Sequence, residues 1–152
     1  VSINFWRKMK MKNKEFVLET LRKWKFPVMA EEDNWLVFRY QLNVIRIWFQ
    51  CGENGGVAVS LGGLFTADNE KEVAMAYKVC NALSAKIMQV KLYLDDDFEL
   101  VIASEFYFRT REELEYFLDI SCRGLINAKK QFLAAYGEAE ENQMLIDELN
   151  KE

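Results

Sequence analysis

Asp95, Asp96, Asp97 and Glu99 form the best-placed carboxylate cluster in the chain, where a hard cation such as calcium or magnesium could be held through oxygen ligands. An EF-hand loop, however, spreads its ligands over about twelve positions around a central glycine. Here three aspartates are adjacent and sit between two apolar runs, so the expected role is a strand-to-strand turn. The other reactive candidates are Cys51, Cys80 and Cys122, odd in number, widely spaced and without a C-x-x-C pair. That pattern suits reduced, buried thiols better than a disulfide framework or a zinc site. The chain contains no histidine, the commonest general base near neutral pH and the commonest transition-metal ligand. It also lacks a G-x-G-x-x-G turn, a phosphate loop with its lysine and an H-E-x-x-H pair. The expectation is a non-enzymatic protein with no catalytic residues, no cofactor and no metal.

Composition sets the bounds on what remains. At 152 residues, 51% apolar and 14% aromatic, there is material for one close-packed core without staples. No apolar run approaches the roughly 20 residues that span a bilayer. Ile3, Phe5 and Trp6 precede the first lysines, the reverse of a secretory signal, so a cytoplasmic protein with no membrane partner is expected. The net charge of -4 is unevenly spread. Basic residues crowd positions 7–25 and acidic ones positions 138–152. An acidic whole without an aromatic-interleaved basic stripe argues against nucleic acid. Three regions are anticipated: a flexible extension over 1–12, a single domain over 13–137 and an acidic tail over 138–152.

Within the domain, Val17, Leu21 and Trp24 share one helical face over 13–26, and Pro27 is expected to stop that helix and launch a short strand. Aromatic and β-branched residues then suggest strands over 35–41 and 44–50. An even-numbered loop between them would set Leu36, Phe38 and Tyr40 against Ile45, Ile47 and Phe49 on one wholly apolar face, whereas an odd loop would split the core. A turn at Asn54, Gly55 and Gly56 leads to a further strand over 57–64. Asp68 or Asn69 can cap a helix reaching about Met88, with Val73, Ala76, Cys80, Leu83 and Ile87 in one stripe. A second hairpin, 90–94 with 98–108, surrounds the aspartates. Thr110 with Glu113 makes a capping box for a long helix, which Gly137 is expected to end.

This is an α+β order, α-β-β-β-(β)-α-β-β-α, predicting a twisted antiparallel sheet packed against helices. The run AMAYKVCNALSAKIMQVKLYLDDDFELVIASEFYF, followed by TREELEYFL, resembles the YbjN family. Ala76, Asn81 and Leu83 match its helix signature, and residues 95–98 its acidic turn. The resemblance implies a fold like that of type III secretion chaperones, usually dimeric, with regulatory or chaperone-like roles. It supplies no active-site residues.

The remaining face of the first hairpin carries Trp35, Val37, Arg39, Val44, Arg46 and Trp48, too apolar for an ordinary solvated surface. Trp and Arg are enriched among binding hot spots, so Trp35, Val37, Arg39, Arg46 and Trp48 form the candidate partner-binding surface, for another protein or a second copy. In one allowed register Arg39 opposes Arg46, and the acidic tail is a candidate to neutralise them. The bland alternative is that a helix or a dimer mate covers this face. Two functions follow: a protein-binding, chaperone-like dimer with an exposed sheet face, or a small-ligand sensor with a cavity between sheet and helices.

Overall fold

The computed structural model describes residues 3–51 and 56–151, so the turn expected at Asn54 and Gly55 lies outside the described residues, as does the side chain of Cys51. The element order is α1 (Ile3–Lys23), β1 (Val28–Glu31), β2 (Trp35–Tyr40), β3 (Asn43–Cys51), β4 (Gly56–Leu61), α2 (Glu70–Ser84), β5 (Lys91–Leu94), β6 (Leu100–Phe106) and α3 (Arg111–Leu149). The strands form one antiparallel sheet in the order β1-β2-β3-β4-β6-β5. Among the described residues no helix is long and apolar enough to cross a membrane.

Alternation decides which face meets the helices. Gln41 and Leu42 make a two-residue turn, so Leu36 pairs with Ile47 and Phe38 with Ile45, as the even-loop argument requires. Phe38, Ile47 and Leu100 are fully buried. Val57, Val59 and Leu61 from β4 join them, with Leu92 and Leu94 from β5 and Ile102 and Phe106 from β6. The helices cover this layer with Val17 and Leu21 of α1, Ala76, Val79, Cys80 and Leu83 of α2, and Leu114, Leu118, Leu125 and Phe132 of α3. Gly124 lets α3 press close to the strand side, since a Cβ there would stand 3.2 Å from Val90 Cγ2.

Two helix starts use the same device. Asn69 caps α2 by accepting from the Glu72 amide at 3.0 Å, and Glu72 reaches back to the Asp68 amide at 2.7 Å. Thr110 caps α3 by accepting from the Glu113 amide at 3.1 Å, while Glu113 accepts from the Arg109 amide at 2.7 Å. In each case the returning carboxylate takes the amide before the cap rather than the cap's own.

Helix ends differ from the sequence expectation for local reasons. Helix α1 begins at Ile3, where a flexible extension over 1–12 was anticipated. Lys, Arg and Met are strong helix formers, and a helix seated in the core at Val17 and Leu21 extends outward cheaply. Its C-terminus is set before Pro27: Lys25 takes φ 61, and the Lys25 and Phe26 amides donate to the Arg22 and Leu21 carbonyls at 3.1 and 2.9 Å, a Schellman closure. At the other end of the chain Gly137 does not stop α3, which continues to Leu149. A glycine within a helix costs only about 1 kcal/mol, and packing of Tyr136 on Phe65 (4.6 Å between ring centroids) with the Lys71–Asp147 ion pair at 2.7 Å ties the continuation to the body.

Candidate functional site

All three helices pack on one side of the sheet, and the alternate side chains of its strands form an open face. Cross-strand pairing arranges that face in rows. One runs from Trp35 through Trp48 and Ala58 to Glu105. The next runs from Ala30 through Val37, Arg46, Ser60 and Ala103 to Lys91. Arg39 pairs with Val44, and Tyr93 with Val101. β4 and β6, which lie between β3 and β5, thus present Ala58, Ser60 and Ala103 at the centre, with Val101 and Glu105 to either side along β6, while tall side chains rise from β3 on one flank and β5 on the other. The result is a trough of about 560 Å³, lined among others by Val44, Arg46, Trp48, Tyr93, Val101 and Glu105.

Arg46 is the organising cation. Its guanidinium carbon lies 5.4 Å from the Trp35 ring centroid and 5.6 Å from that of Trp48, and the two indole centroids are 6.4 Å apart. Each such contact is worth roughly 0.5–1 kcal/mol at an exposed site and holds the arginine upright on the β3 wall. Among the described residues no carboxylate stands within ion-pair distance of Arg39 or Arg46. The far wall differs, since Lys91 there is paired with Glu105 at 2.7 Å. Trp48 is 36% exposed, whereas Val37 is only 9% exposed because the taller Trp35 and Arg46 stand around it.

The structure therefore brings Trp35, Val37, Arg39, Arg46 and Trp48 onto one surface. It selects the register in which Arg39 faces Val44 and Arg46 faces Val37, which removes direct opposition of the arginines. Sequence reasoning missed the floor and the far wall, Ala58, Ser60, Ala103, Tyr93 and Glu105. The odd positions of the second hairpin carry the signal for Tyr93, Ala103 and Glu105, and the even positions of β4 that for Ala58 and Ser60.

The acidic turn closes one end of the trough. Asp95 accepts from the Asp97 and Glu99 amides at 3.0 and 2.9 Å, and Phe98 takes φ 59 to complete the reversal. The Glu99 carboxylate accepts from the Gly63 amide, where φ is 70, a left-handed conformation that suits glycine. These carboxylates act as turn closures through their backbone contacts. The Cys80 and Cys122 thiols are free and buried on the helix side. Burial pushes them up to about 11 and about 12 respectively, with Asp119 adding to the effect at Cys122. At neutral pH both are protonated and poor nucleophiles.

No family model and no curated protein matches the chain. Among solved structures it is similar to an uncharacterized protein from Methanothermobacter thermautotrophicus, with 18% identity and a TM-score of 0.55 over 83% of this chain and 97% of that one. It is similar to YbjN of E. coli at 18% identity and a TM-score of 0.54, over 85% and 92% of the two chains. A chain from the heterodimeric ExoU–SpcU complex of the type III secretion system of Pseudomonas aeruginosa aligns at 16% identity and a TM-score of 0.45, over 74% and 94%. The first two likenesses show a YbjN-like α+β fold, the architecture that the helix and turn run implied.

Proposed function

We propose that this chain is a non-enzymatic, cytoplasmic protein-binding module, chaperone-like or regulatory in role, that receives an amphipathic segment of a protein partner in the trough of its open sheet face. The observation that carries this reading is Arg46 packed against both Trp35 and Trp48 beside a floor of small residues, with the described helices all on the opposite side of the sheet. Aromatic and arginine anchors around a concavity are the usual energetic centre of a protein interface. Arg46 on one wall and the carboxylates of Asp95, Glu99 and Glu105 toward the other give the trough both signs of charge, so the fitting segment carries an acidic group on the Arg46 side. Glu105, Asp95 and Glu99 on the opposite flank disfavour a polyphosphate backbone.

The small-ligand sensor reading needs free space between sheet and helices. Phe38, Phe132, Leu21, Ile45 and Leu118 occupy that layer and are fully buried, so the trough lies on the wrong side for it.

The test is selection of peptides from a random library against the full chain. Expected is enrichment of amphipathic sequences whose affinity drops at least about tenfold for Arg39→Glu/Arg46→Glu and for Trp48→Ala, with circular dichroism unchanged. Selected peptides that bind both variants as tightly as the parent would move the interface elsewhere.

A further inference from the structure

We infer that the cleft between the start of α2 and the turn before β6 is a small-molecule site for an organic cation with an apolar body. It lies apart from the trough and does not depend on what docks there.

The acidic turn divides two recesses. Asp95 and Glu99 line the trough, whereas Phe98 lines a separate cleft of about 450 Å³ together with Ala67, Val73, Ala74 and Tyr77. That volume lies within the roughly 300–1,000 Å³ found for small-molecule sites. One wall is helical: Val73, Ala74 and Tyr77 share a side of α2, and the small Ala74 leaves room beside Tyr77. The other wall is pinned by backbone bonds. The Phe98 amide donates to the Asp95 carbonyl at 3.0 Å, and the Ala67 amide donates to the Phe98 carbonyl at 3.1 Å.

Phe98 stands at φ 59, a left-handed conformation that disfavours an aromatic side chain and that glycine or asparagine adopts more readily. The turn therefore gains nothing from phenylalanine, and the core gains little, because the ring is 44% exposed. Across the cleft Tyr77 is 50% exposed. Among the described residues neither ring packs on another aromatic ring or on a cation, so both keep surface for a ligand.

Charge selects the ligand's sign. Asp68 and Glu70 also line the cleft, and among the described residues neither is ion-paired. The helix start offers an anion little, because the Asn69 side chain already accepts from the Glu72 amide and the Glu72 carboxylate, a third negative group, accepts from the Asp68 amide. Aromatic faces beneath a rim of carboxylates suit an organic ammonium: the rings attract both its charge and its apolar body, and the carboxylates pair with the charge.

Titration of the full chain, followed by calorimetry and amide NMR, tests this with tryptamine and benzyltrimethylammonium as cationic probes. Tryptophol and indole-3-propionate serve as the uncharged and anionic counterparts of tryptamine. Expected is saturable binding of both cations with dissociation constants of about 1 mM or lower, and amide shifts concentrated at Val73, Ala74, Tyr77 and Phe98. Tryptophol should bind at least about fivefold more weakly than tryptamine, and indole-3-propionate more weakly still. Phe98→Gly should lower tryptamine affinity at least about fivefold while the unfolding midpoint stays near the parent's, since glycine accepts the turn's backbone geometry. Asp68→Asn/Glu70→Gln should reduce tryptamine to the affinity of tryptophol and leave tryptophol unchanged, a selectivity that a purely structural role would not move. Trp48→Ala should leave tryptamine binding as it is. Failure of both cations to saturate by about 10 mM, shifts centred on the trough, indole-3-propionate binding as well as tryptamine, or an unchanged affinity in Phe98→Gly each overturns the inference. Shifts at these four residues that follow protein concentration instead would assign the cleft to a second copy and overturn it as well.

Discussion

At the scale of single residues, one buried polar contact shows how the core tolerates hydroxyls. Ser104 of β6 and Ser121 of α3 share a hydrogen bond at 2.9 Å, and both are buried. Either one alone would be an unpartnered polar atom in an apolar layer. Ser121→Ala should therefore cost about 1–3 kcal/mol, whereas Ser104→Ala/Ser121→Ala should lie closer to the parent than either single variant. Chemical denaturation of the four proteins gives the coupling directly, and additive losses would show the hydroxyls to be independent. Thr20 is the counter-case, since its buried hydroxyl oxygen has no hydrogen-bond partner among the described residues.

At the scale of elements, the end of α3 is held by charge. The hydrogen bond from Lys71, then that from Gln143, holds the Asp147 carboxyl below the ordinary aspartate range. A carboxylate with a lowered folded-state value contributes stability above the unfolded value and loses it as pH falls through the folded one. The last turns of α3 should therefore loosen from α2 on acidification below the carboxylate range and stay docked at neutral pH. Carboxyl NMR titration should place Asp147 below ordinary aspartates, and Lys71→Ala should raise it; an unmoved midpoint would show that the pairing is absent in solution. Glu113 is lowered in the same direction by its hydrogen bonds from the Arg109 side chain and amide, so the start of α3 shares this sign.

At the scale of the whole molecule, the sheet separates stability from recognition by side. Phe38 faces the helices and is fully buried, while Trp48, on the neighbouring strand, faces the trough. Phe38→Ala should cost about 3–5 kcal/mol of folding stability. Trp48→Ala should cost less, about 1–2 kcal/mol from its lost contacts with Arg46 and Trp35, yet lower partner affinity at least about tenfold. Thermal unfolding set beside peptide binding checks the division. A Trp48→Ala protein destabilised as much as Phe38→Ala would mean that the open face is structural.

Alternation along the chain was enough to determine the inward face. Leu36, Phe38, Ile45 and Ile47 could only form a core if they lay on one side, so register, helix placement and the two helix caps were all legible from residue order. The five hairpin residues of the candidate surface were legible for the same reason, as the odd positions left over. What residue order could not give was the neighbour of β4. That strand pairs with β6, which lies nearly forty positions further along, and only this non-local pairing sets Ala58 and Ser60 beside Ala103 between tall walls. The passage of α3 through Gly137 was likewise decided by contacts with Phe65 and Lys71, remote in sequence, whose packing outweighs a local helix-stop signal worth about 1 kcal/mol. Local periodicity fixes which way a side chain points; tertiary pairing decides what stands next to it.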